Sequence, residues 1–204
     1  MQWSIISGSQ RKDSNSRKVA ELIKKELINS NFSELDIHLL HLDEHPLPLL
    51  NETIWEQDSS LKETWKPYSE KIKQSNAFIF ITPEWGGMVP ASLKNFFLYC
   101  GNHELAHKPA LIVSITTGIA GAYPIAELRM SSYKNTHICY IPENIILRYV
   151  DKFLSQYQAP KEEPIRELKA RFLYSLKVLQ AYAEALDQVR KGPNLDLESF
   201  PSGM

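Results

Sequence analysis

Three short stretches carry most of the side chains that could do chemistry. Residues 8–16 read Gly-Ser-Gln-Arg-Lys-Asp-Ser-Asn-Ser. Hydroxyls at Ser9, Ser14 and Ser16, the guanidinium of Arg11 and the free amides of a helix start together suit a phosphate monoester. Residues 82–90 read Thr-Pro-Glu-Trp-Gly-Gly-Met-Val-Pro. Paired glycines let backbone approach a ligand closely, and Trp85 offers a flat aromatic face. Residues 114–123 read Ser-Ile-Thr-Thr-Gly-Ile-Ala-Gly-Ala-Tyr, small residues that leave room for a ring edge. Each stretch also has a plain reading: a serine-rich cap, a tight turn around a core tryptophan, an ordinary strand-to-helix connection. The first lacks both the glycine spacing of a dinucleotide fingerprint and the Gly-Lys-Ser/Thr ending of a triphosphate loop.

What gives the three stretches a common purpose is the pattern around them. Apolar runs at 3–7, 35–42, 77–82, 110–115 and 137–141 read as strands, and the middle ones are apolar throughout, as in a parallel sheet covered on both faces. Helical spacing fills the gaps: 16–30, a segment from Asp58 or Ser59 to Gln74 that Pro67 kinks or divides, a helix opened by Pro90 and stopped by Gly101, and one reaching about Tyr133. Beyond Pro142 the strand pattern fades, 162–190 reads as one long amphipathic helix, and the residues from Gly192 onward read as a loose tail. Alternating strands and helices predict an α/β domain around a parallel sheet, with ligands beyond the carboxyl ends of the strands. All three stretches then fall at one sheet edge.

The chain resembles the NADPH-dependent FMN reductase family, whose members include quinone, chromate and azo-dye reductases. That family carries Gly-Ser-x-Arg-x-x-Ser-x-Asn after its first strand, here residues 8–16. It also carries Thr-Pro-Glu-Tyr-Asn-Gly and then Pro and Leu-Lys-Asn, here Thr82-Pro83-Glu84-Trp85-Gly86-Gly87, Pro90 and Leu93-Lys94-Asn95. The resemblance spans about residues 2–141. It implies a flavodoxin-like three-layer sandwich with a five-stranded parallel sheet, and the extra C-terminal helix lies beyond it. The chain is then expected to divide into an FMN-binding domain over 1–150 and a helical extension over 151–204 packed on the same domain. It implies that Ser9, Arg11, Ser14 and Ser16 hold the FMN phosphate, that Pro83, Glu84, Trp85 and Gly86 line the isoalloxazine, and that Thr117, Gly118 and Gly121 stand near its pyrimidine end. It further implies NADPH or NADH as electron donor, a small-molecule acceptor such as a quinone, free flavin or azo compound, ping-pong turnover, and a homodimer or homotetramer. Three residues depart from the family: Ser16 stands for asparagine, Trp85 for tyrosine and Gly86 for asparagine. A non-catalytic FMN-binding sensor or interaction protein is the alternative.

The bulk properties narrow the classes. With 23 basic and 24 acidic residues the net charge is −1, which argues against a nucleic-acid partner and against a polybasic membrane surface. The two cysteines have no paired spacing, and the start of the chain does not read as a signal peptide, so a reducing cytoplasm is expected. His103-Glu104-Leu105-Ala106-His107 matches the H-E-x-x-H zinc motif. Gly101 before it and Pro109 after it leave little room for the helix such a site needs, so no metal is expected there. His38 and His41, three apart on a strand, are expected on opposite faces.

Overall fold

The computed structural model describes residues 1–29 and 35–203, so residue 30, the last of the first predicted helix, lies outside the described residues. The apolar runs become five strands: β1 (Gln2–Ser7), β2 (Asp36–His41), β3 (Ala77–Pro83), β4 (Pro109–Ile115) and β5 (Cys139–Leu147). Every pairing is parallel and the order is β2-β1-β3-β4-β5. β4 is buried at all its positions and β3 at all but Pro83, which is why these two carry no polar alternation.

Two cores flank the sheet. On one side α1 (Asn15–Asn29), α6 (Val150–Gln156) and α7 (Glu163–Lys191) pack around Trp3, Ile23, Phe153, Phe172 and Leu179. On the other, α2 (Ser60–Gln74), α3 (Ala91–Tyr99) and α5 (Tyr123–Ser131) enclose Trp65, Phe78, Phe80, Phe96 and Phe97. Burying each such side chain is worth about 1.5–3 kcal/mol. The first strand order reversal falls between β1 and β3, so the loops after β1 and β3 meet there. Asn95 of α3 fastens the proline-rich loop beyond β2: its Oδ1 accepts from Leu50 N (2.9 Å) and its Nδ2 donates to Pro48 O (2.8 Å).

Several elements differ from the sequence pattern. β5 does not stop at Ile141 but continues through Pro142 to Leu147. It is an edge strand, so a proline without an N–H is tolerated. The register against β4 jumps from Ala110↔Tyr140 to Ile112↔Asn144, and the looped-out carbonyls of Ile141 and Pro142 accept from Arg129 Nη2 at 2.6 and 3.1 Å. α2 runs past Pro67 as one helix, because its buried stripe of Leu61, Trp65, Ser69 and Ile72 continues on both sides of the exposed proline. α6 has no counterpart in the sequence reading. The tail is tied rather than loose: Asn102 Nδ2 donates to Leu197 O (3.1 Å), His137 Nε2 lies 3.2 Å from Pro201 O, and Gly203 N donates to Lys134 O (2.5 Å).

Candidate functional site

The loop after β1 is pinned by Gly8 N donating to Ile81 O of β3 (2.9 Å). Ser9 is buried, and its Oγ accepts from Arg11 N (3.2 Å). Ser14 then caps α1: its carbonyl accepts from Lys18 N (3.2 Å) and its Oγ from Arg17 N (3.3 Å). The first-turn amides of α1 have no partner within the helix and carry its positive dipole end. Ser16 sits in that turn, fully buried, and its Oγ has no hydrogen-bond partner among the described residues. A buried hydroxyl without a partner is costly unless a ligand completes it.

The second loop follows β3. Glu84 N donates to Ile115 O (3.1 Å), which holds the loop against the end of β4. Trp85 and Met88 exchange two backbone bonds of 3.0 Å, with Gly86 and Gly87 at φ +56° and +78° between them. Two positive φ values in a two-residue turn demand glycine, so the pair serves a tight hairpin.

The third loop is tied to the second and to β5. The Glu84 carboxylate accepts from Gly121 N. Thr116 N donates to Leu147 O (3.0 Å), and Thr116 O accepts from Val150 N (3.1 Å). Gly121 has φ +107° and is packed so tightly that a Cβ would lie 2.5 Å from Ile146 Cγ2. Around Gly118, by contrast, a Cβ would meet nothing within 4 Å.

These loops enclose a cavity of about 430 Å³. Ser9, Arg11, Ser14, Ser16, Pro83, Glu84, Trp85 and Thr117 line it, eight residues from three sequence regions brought to one place. Gly86, Gly118 and Gly121 are not on its wall. Gly86 makes the hairpin turn and Gly121 receives the Glu84 contact, so both shape the loops from behind. The sequence reading missed Lys18, Asn15, Thr116, Val150 and Asp151, which also line the cavity. Asn15 stood in the quoted loop, one place before the family's asparagine position. Val150 and Asp151 open α6, just beyond β5, and left no sequence signal. Asn15 Nδ2 donates to Asp151 Oδ1 (3.0 Å), closing the α1 end of the cavity against α6.

The H-E-x-x-H segment does other work at the opposite end of the sheet. It forms only the one-turn helix α4 (Asn102–Leu105), and His107 follows it at φ +52°, off any shared helical face with the exposed His103. Glu104 is buried and accepts from Ser69 Oγ (2.6 Å) and Gly101 N (2.9 Å), a structural cap. Among the described residues no three His, Cys, Asp or Glu side chains are grouped to hold a metal. His38 meets Ser4 Oγ (3.2 Å), while His41 is buried against Glu21 of α1 (3.5 Å).

The family model for NADPH-dependent FMN reductase matches residues 1–150. The chain belongs to this family. A quinone reductase of Pseudomonas putida is 34% identical over 123 residues, 58% of this chain and 62% of the relative. The chain thus spans less than two thirds of the length of that relative. An NAD(P)H:quinone oxidoreductase of Solanum tuberosum is 27% identical over 183 residues, covering 87% of this chain and 90% of its own length. The solved structure of the flavoenzyme NAD(P)H:(acceptor) oxidoreductase FerB from Paracoccus denitrificans superimposes with a TM-score of 0.66 at 22% identity, covering 92% of this chain and 97% of that one. It shares the flavodoxin-like fold of this FMN reductase family member. Among the described residues no helix is long and apolar enough to cross a membrane.

Proposed function

We propose that this family member binds FMN in the cavity and passes electrons from NADPH or NADH to a small acceptor such as a quinone, free flavin or azo compound. The observation that carries the reading is Ser16 Oγ, buried and unpartnered in the first turn of α1, on the wall of a cavity it shares with Arg11. The residues present fit a phosphate monoester. Arg11 would pair with it, the α1 amides would donate to it, and the hydroxyls of Ser9, Ser14 and Ser16 would complete its shell. Pro83, Glu84 and Trp85 would wall the isoalloxazine, with Gly86 shaping the hairpin that presents Trp85. Thr117 would stand at the pyrimidine end, positioned by the loop that Gly118 and Gly121 form. Bound FMN would supply the hydride chemistry; the protein's part is to orient it and leave one ring face open to donor and acceptor in turn.

The family's quinone reductases and the acceptor-reducing flavoenzyme named above support the choice of acceptor class. We assign residues 1–150 to the FMN-binding domain and 151–204 to a helical extension on the same domain. α7 supports this, since its Phe172, Leu176 and Leu179 share one core with β1 and β3. We further propose a cytoplasmic homodimer or homotetramer.

The test is the visible spectrum after loading with FMN and desalting, followed by anaerobic mixing with NADPH and quinone. Retained flavin bands, affinity weakened about ten- to hundredfold in Arg11→Ala, and donor-dependent quinone reduction are expected. Flavin that washes out of the wild-type protein would overturn the proposal, and retained flavin without turnover would make this a binding protein.

A further inference from the structure

A second cleft, of about 490 Å³, opens on the far side of the turn that closes the FMN cavity. Val150 and Asp151 face the FMN cavity, whereas Arg148, Tyr149 and Lys152 face the cleft, so one turn of chain separates the two. The cleft floor is apolar, with Ile165 and Leu168 from α7. Its rim carries three cations, and two of them are already neutralised. Lys152 Nζ pairs with Glu162 Oε2 (2.7 Å), and Arg171 Nη2 with Glu143 Oε2 (2.5 Å). The third, Arg148, has no carboxylate partner among the described residues.

Arg148 is nonetheless fixed. Its Nε donates to Ile119 O (2.6 Å) and Ala120 O (3.0 Å), which aims the guanidinium and leaves its terminal nitrogens without a partner among the described residues. A planar, oriented, unpaired guanidinium is built for a phosphate or carboxylate. Beside it Tyr149 is half exposed and held at φ +48°, a left-handed conformation that bulky residues rarely adopt. Its amide donates to Gly118 O (3.3 Å) and its carbonyl accepts from Lys152 N (2.9 Å), so the ring is displayed from a braced backbone. Strain of this kind concentrates where a side chain must be presented to a ligand.

An anion reader, an exposed aromatic face and an apolar floor match the parts of a nucleotide: phosphate, base, and the far side of the base. We propose that this cleft holds the adenine-nucleotide end of the reduced dinucleotide donor, with a phosphate on Arg148 and the adenine between Tyr149 and the floor at Leu168. The inference rests on the reductase reading above. The donor's other end then reaches over the 148–152 turn to the flavin ring.

The test is calorimetric titration of ADP into FMN-loaded protein, with NADPH as competitor. Saturable binding that NADPH displaces is expected, weakened about tenfold or more in Arg148→Ala. Because Arg148 also braces the third loop, Tyr149→Asn serves as a second variant: asparagine tolerates the left-handed backbone but removes the ring. It too should weaken ADP, while FMN is retained after desalting. Absence of ADP binding, or equal ADP affinity in the wild type and both variants, would overturn the proposal. ADP binding that depends on Arg148 in a protein that fails to retain FMN would sink the flavin reading and leave the cleft assignment standing.

Discussion

Gly121→Ala and Gly118→Ala form a matched pair, because both glycines lie in one loop and only one is constrained. At Gly121 the backbone is at φ +107°, outside the regions open to alanine, and the added methyl would lie 2.5 Å from Ile146 Cγ2 and 3.5 Å from Thr116 Cγ2. Backbone strain of this type costs about 1–3 kcal/mol and overpacking another 1–3 kcal/mol, so about 2–6 kcal/mol is expected in all. For a domain of this size each kcal/mol moves the midpoint by about 2–4 °C, giving a fall of roughly 4–24 °C. Relief by shifting the loop would break the Gly121 amide contact to Glu84 and move the cavity wall, so FMN retention should fall as well. At Gly118 the methyl meets nothing, and the change should stay within about 0.5 kcal/mol. Thermal unfolding by circular dichroism, with and without FMN, measures both. A Gly121→Ala protein as stable as the wild type, or a Gly118→Ala protein equally damaged, would refute the assignment of rigidity to this loop.

Three further outcomes follow from other sites. Ser16→Ala removes a buried hydroxyl without a partner, so the flavin-free protein should unfold at an unchanged or higher temperature while FMN affinity, read by fluorescence quenching, drops several-fold. Asn95→Leu strips the loop beyond β2 of its Asn95 anchors and leaves Leu50 N unsatisfied, while Pro48 O keeps the Tyr99 hydroxyl; urea unfolding should show a loss of about 1–3 kcal/mol. Burial, and after it the nearby Arg190, lowers the Lys108 ammonium from 10.5 to about 8. The unfolded chain then binds more protons than the folded one between about pH 8 and 10.5, so this group makes stability rise with pH across that window. Comparing urea midpoints of the wild type and Lys108→Met at pH 7.5 and 9.5 isolates the effect; an identical pH dependence in the two proteins would contradict it.

By itself the sequence determined the sheet and the chemistry of its loops. β3 and β4 are legible because strands buried on both faces read as near-continuous apolar runs, broken here only by Thr82 and Ser114. The phosphate-type loop at 8–16 is legible because hydroxyls and a guanidinium cluster locally, within one strand-to-helix turn. What the tertiary structure alone decided are the partners brought from elsewhere. β5 passes through Pro142 because it is an edge strand with Arg129 capping its displaced carbonyls, and neither condition shows in a local pattern. Glu104 matches a zinc motif by spacing, yet its carboxylate is consumed by Ser69 and Gly101. Val150 and Asp151 join the cavity, and Arg148 and Tyr149 the cleft beside it, only because β5 delivers them next to α1 and α7. Periodicity reports which face of an element is buried; it carries no information about which distant side chain will meet it there, since that depends on strand order and register.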